Sequence, residues 1–188
     1  MSPQAHHTML VALLVTSAAG GGALALSVLM WRRHRAPGLA SLNILLAGAL
    51  CYLVATFVEM NSGVFADVGA VALGAPFGIV ARFLVVLGAL RTTSFVLGRE
   101  RLRATAAGAL ARLELVASGI VGLAAVIAAV ARWELLWVVT DAAAGFTLLA
   151  CGVLLFLLRR RIRSGQVRLV VARLAAIALA IVPIGLIL

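Results

Sequence analysis

Lysine is absent from this 188-residue chain, and acidic residues are scarce: six stand against sixteen arginines, for a formal charge of +10. Charged residues make up 12% of the sequence and hydrophobic residues 64%, where a soluble domain carries about 25% charge. So little polar surface cannot cover so apolar an interior in water. A soluble globular domain is therefore excluded, and lipid is the expected solvent for most of the chain. Cysteine is limited to Cys51 and Cys151, both inside apolar stretches and without a CxxC spacing. That excludes a disulfide framework and a thiolate metal site, and leaves two small buried residues. Histidine occurs only at positions 6, 7 and 34, so no apolar stretch holds one and a paired-histidine haem site is excluded. No HExxH, P-loop or GxSxG is present, and the acidic residues do not sit close enough together to form a two-metal site. The chain is therefore expected not to be an enzyme and to hold no cofactor.

What is present is a set of long apolar runs separated by arginine. Six spans of about 20 residues, the length that crosses a 30 Å hydrocarbon core, are expected at 8–31, 39–60, 75–97, 106–130, 135–158 and 169–188. Within lipid only helices or closed barrels satisfy their backbone groups, and these runs lack the alternation of a barrel strand. The expected fold is an all-α integral membrane protein, a single bundle of six transmembrane helices over 1–188. The run at 8–25 has its positive charge after it rather than before it, so it is expected to be a retained helix and not a cleaved signal peptide.

The arginines set an orientation. Arg32, Arg33 and Arg35 follow the first span; Arg99, Arg101 and Arg103 follow the third; Arg159, Arg160, Arg161, Arg163 and Arg168 follow the fifth. The loop after the second span has no arginine, and the one after the fourth has only Arg132. Arginine-rich loops stay in the cytoplasm, so both termini are expected outside, in a bacterial inner membrane. The clustered arginines Arg32 to Arg163 are expected to meet anionic headgroups, at about 1 kcal/mol each. No soluble face gathers the positive charge, so nucleic acid is not an expected partner. Trp31, Trp133, Trp137 and Tyr52 fall near span ends, where interfacial anchors sit. Small residues at 18–22 and Gly74-xxx-Gly78 suit close helix packing.

Charges inside the spans are few enough to place singly. A charge at the bilayer centre costs roughly 2.5–3.5 kcal/mol or more, so each should have a partner. Arg82 is seven residues into the third span and Asp141 six into the fifth, both about 10 Å from the same side. Glu59 ends the second span on that side. Arg82 is expected to pair with Asp141 or Glu59. Arg91 lies near the other end of the third span and Glu114 at about the same depth in the fourth, about 12 Å; these form the second expected pair. Nine residues separate Arg82 from Arg91, which at 100° per residue puts them on opposite faces, so the third helix should be central. His6 and His7 are weak metal candidates in the leading segment.

The segment from Glu114 to Phe156 resembles the last two helices of cation diffusion facilitators. Those transporters use a histidine and an aspartate one turn apart, and Leu110 and Glu114 hold those places here, so the resemblance brings no metal site with it. The first two spans, with Trp31-Arg32-Arg33-His34-Arg35-Ala36-Pro37-Gly38 between them, are similar to membrane sensor regions of some bacterial kinases. The leading expectation is an accessory or structural subunit of a larger membrane complex, with other membrane subunits and anionic lipid as partners. The alternatives are a small transporter or channel for a cation, proton or anionic solute through Arg82, Asp141, Glu59, Arg91 and Glu114, and a sensor module that signals through a partner.

Overall fold

A computed structural model of the chain describes residues 37–60, 70–99 and 104–162, with scattered positions at 25–32 and 165–172. Among the described residues the protein is almost entirely helical. Its helices are α1 (Pro37–Met60), α2 (Ala70–Arg99), α3 (Ala104–Ala131) and α4 (Glu134–Leu158), the last closed by a 3-10 turn at Arg159–Arg161. All four are long and apolar enough to cross a membrane. They correspond to the second to fifth expected spans. The first and sixth expected spans, and with them the six-span count and the orientation, lie largely outside the described residues.

Local chemistry sets the ends. Pro37 opens α1, where its missing N–H would have been unsatisfied anyway. α2 begins five residues before the expected start at 75 and carries Pro76 inside its second turn. A proline there removes the hydrogen bond to the carbonyl four residues back and crowds that carbonyl, at a cost of about 3 kcal/mol, yet α2 continues through it. α3 and α4 are joined by Arg132 and Trp133 alone. Trp133 N donates to Ala128 O at 2.9 Å and Arg132 N to Ala129 O at 3.4 Å, the paired bonds of a Schellman ending. Arg132 takes the left-handed position, at φ 52°, that glycine usually fills. Glu134 sits in the first turn of α4, where the helix dipole favours an acid.

α2 is the hub. It packs against α1, α3 and α4, and α3 also packs against α4, which gives α2 the central place expected from its two opposed arginines. More than half of its span is buried, against little over a quarter of α3 and of α4. The core gathers Leu45 of α1, Val85, Val86, Ala89 and Val96 of α2, and Ala144, Leu148, Cys151 and Leu155 of α4. Cys151 is buried as expected, whereas Cys51 is only half-buried.

The α1–α2 contact is built on glycine. A Cβ on Gly88 would lie 2.7 Å from the Leu45 backbone nitrogen, and one on Gly48 would lie 2.9 Å from the Val85 nitrogen. The two glycines answer each other across an antiparallel pair. Between lipid-solvated helices there is no water to expel, so association depends on such close van der Waals contact.

Candidate functional site

α2 carries the charges on which any site must rest. Arg82 faces α4 and Arg91 faces α3, as their half-turn separation requires. Arg82 is 3% exposed, and its guanidinium is held from several directions. Nη2 lies 3.2 Å from Asp141 Oδ1. Nη1 donates to Gly78 O, one turn back on α2, at 2.9 Å. The Trp137 ring lies beneath the group, with Cζ 3.7 Å from the ring centroid. Trp137 and Asp141 are four residues apart on α4 and so share one face; together they form a clamp, with the ring under the cation and the carboxylate beside it. Thr140 Oγ1 donates to Trp137 O at 2.8 Å and fastens the same turn.

Gly78 makes room for this clamp. A Cβ there would lie 2.9 Å from Arg82 Nη1 and 3.0 Å from the Trp137 ring. The glycine of the Gly74-xxx-Gly78 pair thus seats a side chain rather than a neighbouring backbone. Chemically, the site combines an ion pair, a charge-assisted hydrogen bond and a cation–π contact. Outside water the last is worth about 2 kcal/mol. Removing one member of a buried ion pair costs about 3–5 kcal/mol.

The second pair is looser. Arg91 approaches Glu114 through Nε, at 3.9 Å from Oε1, which is too long for a hydrogen bond. The Arg91 side chain is 53% exposed and that of Glu114 13%. Beside it, Ser94 Oγ donates to Ala107 O at 3.0 Å and ties α2 to α3, and Ser118 Oγ donates to Glu114 O at 2.6 Å.

Arg82 and Asp141 therefore meet, and Arg91 and Glu114 approach one another. The side chain of Glu59, the other expected partner of Arg82, lies outside the described residues, as do His6, His7, Arg33, Arg35, Arg101, Arg103 and Arg163. Arg32, Arg99, Arg159, Arg160 and Arg161 are exposed, and Arg159 lies over the Phe156 ring at 3.9 Å. No group of three His, Cys, Asp or Glu side chains that could hold a metal occurs among the described residues.

Two aromatic expectations change. Trp137 is not a simple interfacial anchor, because its ring is the platform for Arg82. Tyr52 stands eight residues inside α1 rather than at its end. The i, i+4 relation of Trp137 to Asp141 was the available signal for the clamp. Comparison with known proteins returns no match to a family model, a curated protein or a solved structure.

Proposed function

We propose that the protein is a six-span, non-catalytic membrane protein of the bacterial inner membrane, with both termini outside. In this reading it acts as an accessory or structural subunit of a larger membrane assembly. The observation that carries the reading is the contrast between its two charged layers. Arg82 is engaged within the bundle by Asp141, Gly78 and Trp137. A cation fixed on several sides fastens α2 to α4, and a solute path would need it free to exchange partners. Arg91 and the apolar faces of α3 and α4 turn outward instead, with Leu113, Ile120, Leu123 and Ile127 well exposed on α3. Lipid covers such apolar faces readily, but it does not satisfy a guanidinium at that depth.

The test is a native-mass measurement on the full chain, extracted in mild detergent. The expected result is an assembly with at least one other membrane protein; a lone monomer contradicts the reading. Flux of protons or cations into liposomes, lost in Glu114→Gln or Asp141→Asn, would establish the transporter instead.

A further inference from the structure

Arg91 is only loosely engaged within the bundle, with its side chain 53% exposed. It lies eight residues before the end of the apolar span Gly74–Arg99 and seventeen after its start, about 12 Å and 25 Å along the helix. Helical side chains lean toward the N-terminus. Arg91 therefore leans away from its nearer interface and toward the middle of the span, which works against snorkelling to a lipid phosphate. Arg82, near the opposite end of the same helix, leans toward its own interface and is nonetheless clamped inside the bundle. The Arg91 side chain is more than half exposed, and its closest approach to a carboxylate is through Nε rather than the forked end.

Among the described residues, Glu114 alone brings a carboxylate near Arg91. Six acidic residues are available. Glu59 and Asp67 precede α2, Glu134 and Asp141 begin α4, and all four belong to the far end of α2. Glu100 follows Arg91 by nine residues in the sequence. Neither 1–36 nor 163–188 contains an acid. A second copy of the chain would bring one Arg91 for each Glu114 and leave the imbalance of donors unchanged.

We propose that the guanidinium fork of Arg91 is the docking point for a membrane-spanning helix of a different protein, one that carries an aspartate or glutamate at the same depth. The inference deepens the subunit reading above and rests on it. A carboxylate presents two oxygens at the spacing of the fork's two amino groups, so it engages the end of the side chain that Glu114 leaves open. The partner helix lies against the α2–α3 face, and its remaining contacts are apolar.

The experiment uses the full chain in neutral phosphatidylcholine vesicles and a synthetic Leu/Ala helix of about 20 residues, with either Glu or Ala at its centre. Association is read by energy transfer between labelled peptide and labelled protein. The expected result is that the Glu peptide binds about threefold to thirtyfold more tightly than the Ala peptide. Arg91→Lys should keep a preference and Arg91→Met should lose it, both at unchanged helix content. Equal binding of the two peptides, or a preference untouched by Arg91→Met, overturns the proposal. So does a preference abolished by adding phosphatidylglycerol, which would assign the fork to lipid phosphate, or a homodimer lost in Arg91→Met, which would assign it to a second copy. The failures separate by native mass. A hetero-assembly indifferent to Arg91→Met removes this docking point and leaves the subunit reading standing; a lone monomer removes both.

Discussion

Asp141 is the residue whose loss should be felt most. Replacing it with leucine leaves Arg82 buried beside Trp137 without its counter-charge. Asp141→Leu is expected to lower stability by about 3–5 kcal/mol, measured by unfolding in mixed micelles. The double variant Arg82→Met with Asp141→Leu should recover most of that loss, because an apolar pair of similar volume needs no partner. If the double variant is as unstable as the single one, the clamp is not what links these residues. That Arg82 and Asp141 would be level could be read from the sequence, since depth follows from counting residues at 1.5 Å each from an arginine-marked end. The Trp137 contact was harder to see. A tryptophan four residues into a span has the position of an interfacial anchor, and only the rotation of α4 about its axis decides whether it faces headgroups or α2.

At the scale of the helix pair, Gly48 and Gly88 carry the α1–α2 contact. Gly88→Ala puts a methyl against the Leu45 backbone, 2.8 Å from its Cα, and a backbone cannot rotate away as a side chain can. The expected loss is about 1–3 kcal/mol, seen as a lower midpoint of thermal unfolding in detergent. Gly119→Ala on α3, which meets nothing within 4 Å, should leave the midpoint unchanged or raise it. Sequence gave little help here. Glycine and alanine are dense throughout the chain, and which small residue meets a backbone depends on a crossing that no periodicity records. The α3–α4 turn offers the reverse change. Arg132 holds a left-handed conformation that glycine adopts at lower cost, so Arg132→Gly is expected to stabilise the fold by about 1 kcal/mol, read as a rise in the same midpoint. A fall would mean that the Arg132 side chain contributes more than its backbone costs.

For the whole molecule, the apolar runs made four helices legible to within a few residues at most ends, with α2 the exception at its start. The expected span starts at 75, yet the helix already includes the small residues before it from Ala70. The proposed orientation has its own measurement. In a chain with Cys51 and Cys151 replaced by alanine, a membrane-impermeant maleimide added to intact cells should label Trp133→Cys but not Arg101→Cys. The reverse pattern would turn the bundle over, and labelling of both only after lysis would contradict the proposed orientation. The two ion pairs also impose an order in time. Both arginines lie on α2, and both carboxylates lie on helices made after it, 23 residues later for Glu114 and 59 later for Asp141. At about 5–20 residues per second, Arg82 waits roughly 3–12 s for its counter-charge to be synthesised. A ribosome therefore delivers α2 to the bilayer before Asp141 and Glu114, the two carboxylates that meet its arginines, have been made. The ion pairs of the central helix are therefore complete only when the α3–α4 hairpin arrives, although α2 is made before both of those helices.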